Sequence, residues 1–441
     1  MMVTDFDAII IGAGPAGSAA AILLARAGWA VALVEKQPFP RRKVCGECIA
    51  ASNLPLLHGL GIGAAFEAAA GPELKRMALM HGAHTVVADL PAASHATYRW
   101  GRALGRETLD TLLLDQARAA GAQVLQPWSV QAIGGVAGDW RCRVRAIDTN
   151  AGVTLRAPVA IAAHGSWQAL PSARPRRRLA RLASDLFAFK ANFRNTTLAE
   201  GLLPVLAFDG GYGGMVVAEH GVTTLACCVR RDRMEACRSG LPGARAGEVV
   251  EALLRRECAG VRAALQGATR DASWLAAGPI DPGIRLGVDD EHGGHAGLFR
   301  IGNAAGEAHP IIGEGMSMAL QSAHLLCAGL LGADTGSATW QRDVARSYAA
   351  SWQQHFAGRL RLAATFAQAA MRPALAGPLL ALTSAWPGLL TAGARWGGKV
   401  RCAVDARTVA ELANVADKRQ AWPATAVAEP QAHPHRLKET T

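Results

Sequence analysis

The chain lacks any uninterrupted apolar run of the roughly 18 residues that a membrane-spanning helix needs. Its longest candidate, PLLALTSAWPGLLTAG (378–393), is interrupted by Ser, Thr and Pro. It also lacks a second Cys-x-x-Cys to match Cys45 and Cys48. A closed zinc site needs four ligands, and none stands at useful spacing. The nine cysteines are odd in number and scattered, which fits a reducing compartment. No helix-turn-helix, zinc-finger or RNA-binding signature accompanies the net charge of +11. The arginine-rich stretch 174–183 therefore reads as a solvated basic face, and no nucleic-acid partner is expected. A first strand expected from about residue 6 leaves no room for a signal peptide. The expected location is cytoplasmic, with contact to a membrane surface the lesser reading.

Half of the residues are hydrophobic and 18% are charged, a globular balance. The strongest signal is DFDAIIIGAGPAGSAAAILLARAGWAVALVEK near the N-terminus. An apolar run from Ala8 to Ile11 reads as a buried parallel strand. It leads into Gly12, Ala13, Gly14, Pro15, Ala16 and Gly17, then a helix of small residues. Gly12 permits the tight turn, Gly14 lets backbone approach a pyrophosphate, and Gly17 lets helix and strand pack closely. A second strand ends in Glu35, placed to accept hydrogen bonds from a ribose. The glycines at 59–63 follow no buried strand and read as a turn between helices.

Two further stretches decide between dinucleotides. In GLFRIGNAAGEAHPIIGEGMSMALQSAHLL (297–326) a strand precedes Gly302 and Asn303, a turn holds Pro310, and Gly313, Glu314, Gly315 and Met316 open a long helix. GRETLDTLLLDQARAAGAQVL (105–125) places Arg106, Leu109 and Asp110 on a helix that runs into a strand. In order and content these stretches resemble FAD-dependent oxidoreductases of the para-hydroxybenzoate hydroxylase fold, a group of aromatic monooxygenases, flavin-dependent halogenases and geranylgeranyl reductases. The resemblance implies FAD as cofactor, with Arg106 contacting it and Asn303, where the family has Asp, holding the ribitol chain. Lys36, Arg42, Cys45 and Gly46 would lie along the cofactor, and the helix opening at Gly313 to Met316 would face the pyrimidine end of the flavin.

The family's strand-end Asp-Gly is here Ala163-His164-Gly165, which argues against efficient direct reduction by NADPH. The electron donor is then NAD(P)H at the flavin face or a separate reductase. KVCGECIA (43–50) resembles the Cys-Gly-Glu of the geranylgeranyl-reductase branch, so Cys45 is a candidate catalytic residue and Cys48 a packing residue. Whether Cys45 reacts or only shapes the pocket is left open. His309, before Pro310, is the other catalytic candidate, as acid or base, against a plain loop histidine.

The expected architecture is α/β: an FAD-binding Rossmann-like domain of the glutathione-reductase type, an antiparallel substrate sheet and a helical C-terminal region. Residues 1–72, 101–168 and 296–335 would form the cofactor domain. Residues 73–100 and 169–295 would form the substrate sheet, with a hairpin of 211–219 and 221–231 joined by His220. Residues 336–414 would cap the site, and 415–441 would be a disordered tail.

Its Met, Phe, Leu and Trp content points to a hydrophobic or aromatic small-molecule substrate, free or carrier-bound. The halogenases' Trp-x-Trp-x-Ile-Pro is absent, and of the reductases' Tyr-x-Trp-x-Phe-Pro only Tyr212 remains. The leading expectation is therefore a monooxygenase that uses O2 through a flavin C4a-hydroperoxide. Reduction of carbon–carbon double bonds is the alternative, and a non-catalytic flavin-binding protein a third.

Overall fold

The computed structural model describes residues 3–166, 170–171, 181–286 and 297–414. The basic stretch at 174–183 falls mostly outside these residues, and the tail expected at 415–441 falls wholly outside them.

A five-stranded parallel sheet organises the N-terminal half, in the order Phe299–Arg300, Val159–Ala162, Ala8–Ile11, Val31–Val34, Gln123–Leu125. Ala8–Ile11 is buried on both sides, which is why it reads as a continuous apolar run. The helices Pro15–Arg26, Arg106–Ala119 and Gly315–Leu331 bury their apolar stripes on one face. An antiparallel meander covers the other: Trp128–Val136, Asp139–Ala146 and Gly152–Ala157. In its middle strand Trp140, Cys142 and Val144 face inward onto Ile9, Ile11, Ala32 and Val34, while Arg141, Arg143 and Arg145 face out.

The second layer is a large mixed sheet built around Leu186–Arg194, Thr223–Arg230, Gly211–Val217 and Leu202–Phe208, continued by Arg76–His81 and His84–Asp89. The expected hairpin is present: Val217 pairs with Thr223 across a turn in which His220 has φ 54°. Side chains alternate across this sheet. Phe189, Phe193, Met215, Leu225 and Val229 face outward onto the helices Arg231–Ser239, Ala246–Glu257 and Ala259–Ala264, so the expected all-strand segment 169–295 carries a helical layer of its own. The inner face carries Ala188, Lys190, Tyr212 and Cys228. It packs partly on the C-terminal helices Gly358–Ala370 and Pro373–Ala385.

The two layers are joined by one buried charge pair. Glu47, with φ 58°, accepts hydrogen bonds from Lys190 Nζ, from Thr224 Oγ1 at 2.5 Å and from the Arg106 backbone N–H at 2.9 Å. Both charged side chains are almost wholly out of solvent, Lys190 at 1% and Glu47 at 2% exposure. Removing one partner leaves a buried charge uncompensated. Lys190→Met is expected to cost about 3–5 kcal/mol of stability, read from the urea midpoint. The double variant Glu47→Leu/Lys190→Met is expected to recover much of that loss; a double variant as unstable as the single one contradicts this account.

Candidate functional site

The site starts at the glycine turn. A Cβ on Gly17 would stand 1.8 Å from the Gly12 carbonyl oxygen, and one on Gly12, with φ +102°, 2.6 Å from the Ala163 carbonyl oxygen. The turn therefore closes only with glycine at both places. Gly14 is different: a Cβ there would meet only the guanidiniums of Arg106 and Arg41, at 3.8 and 3.9 Å. Backbone N–H groups at the start of Pro15–Arg26 and two guanidiniums thus border one space. This arrangement fits a pyrophosphate, and with it FAD.

Glu35 closes the far side. Its Oε2 accepts from Ala13 N–H at 2.9 Å, and its Oε1 accepts from Gln37 N–H at 2.8 Å and from Arg41 at 2.9 Å. Oε2 thus retains acceptor capacity for a ribose hydroxyl. Of the basic residues expected from sequence, Lys36 is exposed. Arg42 reaches the Ser273 carbonyl at 3.3 Å and Glu107 at 4.0 Å instead. Arg41, which the sequence motifs do not single out, takes the inward position, 3.5 Å from Asp110. Arg106 is locked against Asp110 by two hydrogen bonds of 2.7 and 2.8 Å. Burial works against the Arg106 charge, yet Asp110 holds its pKa above the ordinary arginine value.

Lys43 adds a third cation. Burial, then the nearby Arg41 and Arg106 charges, pull its pKa down to about 8. An anionic ligand would relieve that crowding. The loop continues through Cys45, half-buried, whose Sγ accepts from Glu47 N–H at 3.4 Å, and Gly46, which is exposed. Cys48 faces the other way, in the strand Cys48–Ile49, packed among Leu74, Ala103 and Val216. Its Sγ lies 3.8 Å from Lys399 Nζ.

The second motif lies alongside. Asn303 donates from Nδ2 to Ser166 Oγ at 2.8 Å, leaving its amide oxygen as an acceptor for a ribitol hydroxyl. Gly302 donates to Ser322 Oγ at 2.9 Å. Pro310–Ile312 form a short turn, Gly313 adopts φ 62°, and Gly315 and Met316 open the long helix. Glu314 is fully buried there, 3.7 Å from Arg359 and 3.8 Å from Lys399. Burial raises its carboxyl pKa, and the two cations counter that rise.

On the sheet's inner face Gly214 pairs with Ala226, which in turn pairs with Lys190. These two small residues are half-buried, with Val216 and Thr224 on one side and Tyr212 and Cys228 on the other, and a Cβ on Gly214 would stand 3.0 Å from the Pro204 carbonyl oxygen. Val44 and Ile311 pack against the same cluster as Tyr212 and Cys228, so this part of the sheet adjoins both the Cys45 loop and the Pro310 turn. Tyr212 Oη and His309 Nδ1 share a hydrogen bond of 3.0 Å. Burial pushes the Tyr212 phenol well up and His309 down, so both are neutral at neutral pH.

Comparison with known proteins agrees with this geometry. Residues 5–197 match the FAD binding domain family. The menaquinone reductase of Mycobacterium tuberculosis is 37% identical over 119 residues, 27% of this chain and 28% of that protein. The chain thus spans little more than a quarter of that relative's length in the matched region. The fold as a whole resembles the myxobacterial chondrochloren halogenase, with TM-score 0.68 and 19% identity over 94% of this chain and 97% of that one. It also resembles PqsL of P. aeruginosa in complex with 2-aminobenzoylacetate, with TM-score 0.65 and 18% identity over 85% of this chain and 100% of that one. A fold shared along nearly its whole length with a halogenase means that the missing Trp-x-Trp-x-Ile-Pro, which on sequence grounds argues against halogenation, does not separate the two by architecture.

Because anionic FAD favours the protonated Lys43, affinity is expected to be greatest below about pH 8 and to fall as the lysine deprotonates above it. Titrating the apoprotein with FAD at pH 7 and pH 9 reads this, and Lys43→Met is expected to flatten the dependence. An unchanged slope in the variant would assign the pH effect elsewhere.

Proposed function

Starting from an FAD-binding protein with the para-hydroxybenzoate hydroxylase fold, we propose an FAD-dependent monooxygenase acting on an electron-rich aromatic substrate of apolar character. The observation that carries this reading is the neutral Tyr212–His309 pair beside the small residues Gly214 and Ala226 on the inner face of the sheet. When bound and reduced, FAD supplies the electrons that activate O2. Arg41, Lys43 and Arg106 would hold its phosphates, Glu35 its ribose and Asn303 its ribitol chain.

The rest of the chemistry belongs to this chain's own side chains. A phenolic or enolic substrate becomes a better nucleophile on losing its proton. The substrate hydroxyl proton passes to Tyr212 Oη as the Tyr212 proton passes to His309 Nδ1, so the charge ends on the imidazole and no tyrosinate accumulates. The apolar surroundings contributed by Val44, Val205, Val216 and Ile311 orient the ring and keep water away.

A second reading, reduction of a carbon–carbon double bond, draws on Cys45-Gly46-Glu47 and on the likeness to menaquinone reductase. There Cys45 would stand as the proton donor beside the cofactor. Stopped-flow mixing of the reduced protein with oxygenated buffer, with and without phenolic ligands, distinguishes the two. The monooxygenase reading expects a transient absorbance unlike that of oxidised or reduced flavin; slow, featureless reoxidation under every condition overturns it. Accelerated decay of that transient on adding bromide would point to halide oxidation instead.

The proton relay has its own signature. Because burial lowers the His309 pKa, turnover is expected to hold at mildly acidic pH and to fall only below the ordinary imidazole range. His309→Asn is expected to remove that acid limb and slow turnover by about 100-fold or more, the usual size of a general acid–base contribution.

A further inference from the structure

The C-terminal helices Pro373–Ala385 and Gly388–Trp396 are apolar on a face that nothing among the described residues covers. On the first, Ala376, Leu380 and Thr383 are buried and pack toward the substrate sheet. One position round the helix, Leu375, Leu379, Leu382 and then Trp386 recur at steps of four, three and four, and all are exposed, Trp386 at 63%. Leu389 and Trp396, seven apart, continue the exposed apolar surface on the second helix, Trp396 at 60%. A surface helix of a globular protein normally turns polar residues outward, and one that is apolar all round is buried in protein or in lipid. Six of the twelve exposed large hydrophobics of the described residues fall within 375–396.

Along the sequence, the charges of this segment are of one sign, although the exposed Asp89 of the neighbouring strand lies beside the second helix. From 344 to 404 the chain has seven Arg or Lys and no Asp or Glu. Arg361, Arg372, Arg395 and Arg401 are exposed, and no carboxylate among the described residues forms an ion pair with them. The two helices bend by 114° at Trp386–Pro387, and no single described helix is long and apolar enough to cross a membrane. Leucines and tryptophans on a short bent hairpin, with exposed arginines in and near it in sequence, match the composition of segments that lie in the interfacial plane of an anionic bilayer.

We propose that this hairpin docks the protein on the surface of an anionic lipid bilayer. Its buried side roofs the substrate sheet: Leu380 and Ala376 share a cluster with Tyr212 and Cys228, and Thr391 Oγ1 donates to the Asp89 carbonyl at 2.6 Å. Lipid contact on the outer side therefore stands one helix thickness from the Tyr212 face of the sheet. Resting on the proposed oxygenase function, this makes the substrate a bilayer-soluble aromatic that enters beneath the hairpin.

Flotation of the FAD-loaded full chain with vesicles of phosphatidylcholine alone, or with three parts in ten of phosphatidylglycerol, tests the docking. Binding is expected to the anionic vesicles and to be lost at high salt. Leu379→Ser/Leu382→Ser/Trp386→Ser, at exposed positions, is expected to reduce the bound fraction at least tenfold while retaining FAD. Arg372→Gln/Arg395→Gln is expected to reduce affinity on the order of thirtyfold at low ionic strength, from about 1 kcal/mol per arginine. No flotation of the parent protein, or self-association that the same triple variant abolishes, would overturn the proposal and assign the face to a second copy. Flotation is independent of turnover. Docking without any oxygen transient would therefore remove the oxygenase reading alone, and a transient without docking would remove this proposal alone.

Discussion

The ion pair between Glu47 and Lys190 is the constraint on which the site depends. It joins residues 143 apart in sequence, one on a loop of the cofactor half and the other on the inner face of the substrate sheet. A non-glycine residue with φ 58° carries a conformational cost of about 1–3 kcal/mol. Here three hydrogen bonds to one carboxylate offset it. The same carboxylate fixes the first residue of Arg106–Ala119, and Glu219 accepts from Gly105 N–H at 2.7 Å just before it. Two carboxylates from distant parts of the chain thus meet the positive end of the helix that presents Arg106. Position the loop at Glu47, and Lys43 and Cys45 follow within two to four residues. That is why a pair with no place in the chemistry decides where the chemical groups stand.

Along the loop the electrostatics divide the site into two ends. Toward the glycine turn, burial and then the neighbouring Arg41 and Arg106 charges pull the Lys43 pKa down. Toward the sheet, Tyr212 and His309 are held neutral by burial. A cofactor with an anionic middle and an uncharged ring would match that gradient with its phosphates toward the glycine turn. Glu314, Arg359 and Lys399 add a second charged cluster at the mouth of the long helix, joined to the C-terminal segment by Gln321, whose Oε1 accepts from Ala403 N–H at 3.0 Å. Its members come from three stretches of the chain, so the cluster ties the C-terminal region to the opening of the long helix.

What is legible in the sequence is whatever contiguous residues encode. The glycine turn, the flanking buried strands and the hairpin around His220 follow from local rules of sterics and alternation. The meander is equally local, written in the alternating arginines and apolar residues of 139–146, although no cofactor motif draws attention to it. Arg41 is not legible: three basic residues stand between 36 and 42, and which one turns toward Glu35 depends on the path of the loop. Nor are Glu47 and Lys190, since nothing in either residue's neighbourhood announces the other. On sequence alone, the loss of aromatic residues at 214–217 argues only against a prenyl reductase. In three dimensions Gly214 stands opposite Ala226, so two small residues meet on the face that also carries Tyr212 and Lys190.

The exposed stripe of the C-terminal hairpin is hidden in the sequence for a different reason. Leu375, Leu379, Leu382 and Trp386 have helical spacing, but so do Ala376, Leu380 and Thr383 next to them, and an all-round apolar helix gives periodicity no preferred face. Only the packing shows which side the fold uses. Evolution of a merely structural cap would need the inner stripe alone; polar residues outside would cost the core nothing and would improve solubility. Leucine and tryptophan at the outer positions, in a segment whose only charges are basic, are the composition the proposed lipid contact accounts for. The same helices pack on the sheet face that carries Tyr212, so a contact on their outer side acts one helix away from that residue.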